Sequence, residues 1–89
     1  MAQLFFTQQL ARFTSVPQVE TAAPALRAAL DDAFAVNPLL RSYVLDDQGR
    51  LRANVTIFID GLRCRDAARL DDPLQPGSQV YVLQALSGG

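Results

Sequence analysis

Alternation and helical spacing of apolar residues divide the chain into short strands and one longer helix. The clearest strand is Asn54-Val55-Thr56-Ile57-Phe58-Ile59-Asp60, where Val55, Ile57 and Ile59 share one face and Phe58 points to the other. Gln79-Val80-Tyr81-Val82-Leu83-Gln84 is β-branched and aromatic, a composition that suits a pleated, half-buried surface. Gln3 to Thr7 is a short apolar run with strand propensity. Ala11 to Val16 follows it as the return arm of a hairpin or as an irregular loop, and Gln18-Val19-Glu20, after Pro17, is the expected second strand.

The helix falls between Thr21 and Asn37. Leu26, Ala29, Leu30, Ala33 and Phe34 recur at i, i+3, i+4, i+7 and i+8, so one stripe faces a core while Arg27, Asp31 and Asp32 lie toward the other side. Thr21 or Ala23 flanks its start, Pro24 suits the first turn, and Asn37-Pro38 stops it because a residue before proline is pushed out of the α region. Leu39 to Tyr43 adds a helical turn. Asp46-Asp47-Gln48-Gly49 and Asp60-Gly61 are turn signals, the second leading into a short antiparallel return over Leu62 to Arg65. Asp66 to Leu70 has room for one helical turn, and Leu74-Gln75-Pro76-Gly77 is a type II turn signature feeding the last strand.

Hairpin, amphipathic helix, strands and final strand make an α+β fold, a mixed sheet of four to five strands covered by one main helix. In outline this is a β-grasp. In that plan the first and last strands lie side by side in the centre of the sheet, so the chain leaves from its middle. Residues 1–84 are expected to form the domain and 85–89 a flexible diglycine tail.

Composition narrows the chemistry. With 89 residues the chain builds one core, and a formal charge of -1 gives no electrostatic grip on nucleic acid or membrane. The apolar runs are too short to span a bilayer and Met1 to Leu4 lacks a secretory pattern, so a cytoplasmic protein is expected. There is no histidine, removing the commonest general base and metal ligand. Cys64, the one cysteine, has no disulfide partner and no companions for a zinc site; it is a reactive thiol or inert packing. The paired aspartates Asp46-Asp47, Asp31-Asp32 and Asp71-Asp72 read as solvated loop or surface residues rather than metal ligands. No lysine is present, so neither a P-loop nor side-chain-linked chains of this protein can form. No catalytic residue, bound cofactor or metal is expected. Any chemistry belongs to a partner.

The last three residues, Ser87-Gly88-Gly89, offer that partner a thin segment without side chains that could jam in a narrow channel, and the carboxylate of Gly89 as the group to be worked on. Together with the Asn54 to Gly61 strand and turn, the helix ending at Asn37-Pro38, the Asp47-Gln48-Gly49-Arg50 turn and Pro76-Gly77, this ending resembles the MoaD/ThiS family of ubiquitin-like sulfur carriers. The resemblance covers most of the chain after residue 20. It departs at Ser87 and Gln84, where the family commonly has alanine and often proline, which bears on which partners dock.

The resemblance implies a carrier cycle. An E1-like enzyme uses ATP to adenylate the Gly89 carboxylate, and a sulfurtransferase or cysteine desulfurase supplies sulfur. The resulting thiocarboxylate then donates to a sulfur-accepting synthase in molybdopterin-type cofactor or cysteine biosynthesis. Ser87 and Gly88 would thread the channel. Phe58, Val82 and Leu86 are the docking candidates, as apolar residues close to the tail. Two other readings stay open: a ubiquitin-like modifier joined through Gly89 to lysines of target proteins, and a structural interaction module in which the tail is incidental.

Overall fold

The computed structural model describes residues 1–7, 10 and 18–84. Within them the strands are β1 (Ala2–Phe6), β2 (Gln18–Thr21), β3 (Val55–Ile59), β4 (Leu62–Arg63) and β5 (Gln79–Gln84). The helices are α1 (Leu26–Val36) and α2 (Leu40–Val44). The expected arm over Ala11 to Val16 lies outside the described residues.

The strands form one mixed sheet of order β2-β1-β5-β3-β4. β1 pairs with β5 in parallel, Leu4 against Val80 and Phe6 against Val82, and β3 pairs with β5 antiparallel, Ile57 against Val82. The first and last strands are therefore neighbours in the middle of the sheet, the β-grasp arrangement expected from element order. Such a parallel pair needs a crossover, which α1 supplies by laying its apolar stripe on the sheet. Leu26, Ala29, Leu30 and Ala33 are fully buried there with Leu4, Ile57, Val80 and Val82. Each large aliphatic side chain so buried contributes about 1.5–3 kcal/mol.

α1 starts later than the sequence pattern suggests. Thr21 ends β2, and its hydroxyl accepts the N–H of Ala23 and donates to Asp32 on α1. Ala25 is the N-cap and gives no side-chain hydrogen bond. The free N–H groups of the first turn are instead met by the backbone of another segment: Leu26 donates to the Asp72 carbonyl at 2.9 Å and Arg27 to that of Leu70 at 2.8 Å. Pro24 thus precedes the helix rather than opening it, and its carbonyl accepts from Leu74. The cap is tertiary, so no local motif marks it.

Arg27 fastens two loops to this helix. Its guanidinium donates to the carbonyls of Gly49 and Ala68, both at 2.7 Å, and more weakly to Arg69 at 3.4 Å. A planar fork can reach two loops at once; a lysine ammonium cannot hold that geometry. Arg27→Ala is expected to lower stability by about 1–3 kcal/mol, with Arg27→Lys recovering only part, as read from urea midpoints.

The hairpin β3–β4 turns through Asp60 and Gly61, both at positive φ (51° and 86°), the combination of a two-residue turn that matches strand twist. Asp60 also ties this hairpin to the start of β5. Its carboxylate accepts the Ser78 hydroxyl and the Gln79 N–H, each at 2.9 Å. The turn before β5 runs Gln75 to Ser78, with Ser78 N–H donating to Gln75 and Gly77 at φ 86°. It is the expected type II turn, one residue later.

Candidate functional site

β5 is the strand that leads into residues 85–89, and both of its edges are hydrogen-bonded. Its inward residues Val80 and Val82 are fully buried, whereas Gln79, Tyr81 and Leu83 alternate onto the opposite face. Among the described residues no helix covers that face.

A row of side chains crosses it. Tyr81 stands opposite Phe5 of β1 on one side and Phe58 of β3 on the other. Phe5 is followed outward by Gln18 of β2, and Phe58 by Arg63 of β4. Directly opposed residues share a face. The Phe5 and Tyr81 rings stack with centroids 4.8 Å apart and planes 16° from parallel, an arrangement worth about 0.5–1.5 kcal/mol beyond burial. Tyr81 is 40% exposed, and Phe5, Phe58 and Leu83 are half-buried. This is a contiguous apolar strip with a polar margin, beside the strand from which the tail departs.

Of the docking candidates, Phe58 lies in this row. Val82 does not: it is fully buried between Phe6 and Ile57, so its side chain has nothing to offer a partner. The period of two along β5 puts it with Val80, inside. Leu86 and the tail residues Ser87, Gly88 and Gly89 lie outside the described residues. Tyr81, Leu83 and Phe5 were not singled out by the sequence pattern. The alternation in Val80-Tyr81-Val82-Leu83 carries the signal for two of them; the unbroken run Leu4-Phe5-Phe6 carries none for Phe5.

Cys64 is half-buried against the core, with its N–H donating to the Ile57 carbonyl at 2.9 Å. Burial pushes its thiol pKa up, and the charge of Asp72 adds to this. The thiolate is disfavoured, as suits packing rather than reactivity. Asp72 is buried and accepts the Arg65 N–H at 3.1 Å, with the Arg65 guanidinium 3.5 Å away. Among the described residues no three His, Cys, Asp or Glu side chains gather as a metal site, and no helix is long and apolar enough to cross a membrane.

Asp46 and Asp66 are loop organisers. Asp46 accepts the N–H groups of Gln48 and Arg50 at 2.9 and 3.0 Å; Asp66 accepts those of Ala68 and Arg69 at 2.8 and 3.0 Å. The Arg50 N–H chiefly holds Asp46 below its ordinary 3.8, and the Arg69 N–H does the same for Asp66. A carboxyl whose folded pKa is depressed stabilises the fold above its unfolded value and loses that contribution as pH falls through the folded one. Stability should therefore decline below pH 3.8, and the double variant Asp46→Asn/Asp66→Asn should flatten that decline in acid titrations of the urea midpoint.

The same fold is found in solved proteins of low sequence identity. SAMP1 from Haloferax volcanii superposes with a TM-score of 0.82 at 21% identity, over 99% of this chain and 98% of that one. A chain of the Amycolatopsis orientalis BexX/CysO complex gives a TM-score of 0.85 at 16% identity over the whole of both chains. CysO from Mycobacterium tuberculosis gives 0.81 at 20% identity, over 97% and 100%. No protein-family model and no curated protein sequence matches this chain. The likeness is of fold: the ubiquitin-like β-grasp seen in these small proteins.

Proposed function

We propose that this chain is a protein-bound sulfur carrier, acting through the carboxyl of Gly89 as the co-substrate of partner enzymes rather than as an enzyme itself. The observation that supports this most is the place of β5. A strand held on both edges gives the residues after it a fixed root, and the aromatic strip beside it offers a partner a surface to hold while Gly88 and Gly89 enter its active site. The fold shared with CysO, which has been crystallised in a complex with BexX, agrees with a body handled by other proteins.

The chemistry follows from the group presented. A carboxylate is a poor electrophile, so an E1-like enzyme spends ATP to form an acyl-adenylate, whose AMP is a good leaving group. A persulfide from a sulfurtransferase or cysteine desulfurase attacks the acyl carbon, AMP departs, and reductive cleavage of the S–S bond by a thiol leaves the thiocarboxylate. A sulfur-accepting synthase of molybdopterin-type or cysteine biosynthesis takes the sulfur. No step calls on a side-chain base of the carrier, in keeping with a chain that contains no histidine.

Intact-mass measurement tests the reading. Incubation with an E1-like enzyme, ATP and a sulfur donor should replace one oxygen by sulfur; an unchanged mass with an enzyme shown to be competent would overturn it. A second reading, a modifier joined to lysines of other proteins, is favoured by the fold shared with small archaeal modifier protein 1. Denaturing gels of cells separate the two: a ladder of adducts supports the modifier, a single small band the carrier.

A further inference from the structure

The sheet carries little charge. Its five strands contain two charged residues, Glu20 on β2 and Arg63 on β4, and these are the two edge strands. Both residues stand on the face that no helix covers among the described residues. Glu20 aligns through Gln3 with Gln79, and Arg63 aligns through Phe58 with Tyr81. Four strand spacings of about 4.8 Å hold the two edges about 19 Å apart. Both side chains are exposed, and neither forms an ion pair among the described residues. The aromatic strip therefore lies between a negative margin and a positive one.

Such a face is complementary to itself in one orientation. When two copies meet face to face about a two-fold axis running along β5, the two margins exchange. Tyr81 lies over Tyr81, Phe5 over Phe58, and the β4 edge of each copy over the β2 edge of the other. Arg63 then meets Glu20 of the second copy, once at each margin. The two residues differ by two positions along the strands, about 7 Å, which their combined side-chain length spans. An axis running across the strands would instead set Arg63 on Arg63 and Glu20 on Glu20, and like charges in contact oppose association. Two sheets packed in near alignment about 10 Å apart leave room for one layer of interdigitated rings. With the side chains at its rim the face covers about 500 Å², so a pair of copies buries about 1,000 Å², the lower limit for a specific interface. An area of that size suits a weak dimer that forms as concentration rises.

We propose that two copies of this chain associate through the uncovered face of the sheet, with Arg63 of each paired to Glu20 of the other and the strip of Phe5, Tyr81 and Phe58 closed between them. The dimer hides the surface that the carrier reading offers to an enzyme, so self-association and capture compete for one face. The inference does not rest on that reading, since it needs only the residues and register of the strands.

Sedimentation velocity of the full chain tests this, from about 10 μM to about 1 mM, the range in which so small an interface dissociates. The wild type should pass from monomer to dimer. Tyr81→Ser removes a ring from each side of the axis and should weaken the dimer on the order of 10²-fold. Glu20→Arg and Arg63→Glu each put like charges at both margins and should weaken it on the order of ten-fold, more at low salt than at high. The double exchange Glu20→Arg/Arg63→Glu restores opposite charges and should recover the wild-type constant to within about three-fold. Urea midpoints confirm that each variant is folded. A wild type that stays monomeric throughout, a dimer indifferent to Tyr81→Ser, or a double exchange no tighter than the single ones overturns the proposal. No activating enzyme is present, so failure of the dimer and failure of thiocarboxylation are separate results.

Discussion

Replacing Gly88 by phenylalanine is expected to abolish enzymatic thiocarboxylation of Gly89, by at least on the order of 10²-fold, while leaving the urea midpoint unchanged. The proposed chemistry needs a backbone carboxyl brought to reacting distance of ATP at the end of a narrow channel, and misplacement of about an ångström already costs that much. Phenylalanine adds a ring at the position that must pass the channel next to last. Chain ends seldom carry the stability of a domain, so the urea midpoint serves as the control for folding. Single-turnover mass measurements on folded variant and wild type would check the prediction. A Gly88→Phe protein thiocarboxylated at the wild-type rate would mean that no tight channel is involved.

The second large effect separates the two faces of β5. Val82→Asp should prevent folding. Val82 is fully buried between Phe6 and Ile57, where an ionised carboxylate has neither water nor a counter-charge. The cost exceeds about 4 kcal/mol, against a total stability of about 5–15 kcal/mol for a domain of ordinary stability. The adjacent Tyr81→Ser, on the uncovered face, removes mainly the stacked contact with Phe5 and should cost about 1 kcal/mol. Circular dichroism and denaturant titration of the pair give the comparison. In the proposed function the ordering reverses for binding: Tyr81→Ser should weaken capture by an activating enzyme although the protein remains folded, because exposed aromatic anchors dominate interfaces.

The contrast between these neighbours shows how far linear pattern reaches. The stripe Leu26, Ala29, Leu30, Ala33 and Phe34 is buried as its spacing indicates, since a helix period is imposed by the backbone itself. The strand over Val55 to Ile59 and the turns at Asp60-Gly61 and Pro76-Gly77 were equally legible, the turns because φ is positive where glycine, or in one case aspartate, stands. Val82 was misplaced as a docking residue because nearness to the tail in sequence says nothing about which side of a pleat faces solvent. Phe5 was passed over because three apolar residues in a row contain no alternation to read.

By itself the amino-acid order determined the inventory of elements, the excluded chemistries and the diglycine that suggests a carrier, for these depend on local period, on residue types present or missing, and on adjacency. Only the tertiary structure decided the rest. It put β5 between β1 and β3, aligned Phe5, Tyr81 and Phe58 across three strands distant in sequence, and capped α1 with the carbonyls of Leu70 and Asp72. Each of these is a pairing between segments dozens of residues apart. Strand register and loop docking are set by which surfaces bury one another, a property that no single segment contains.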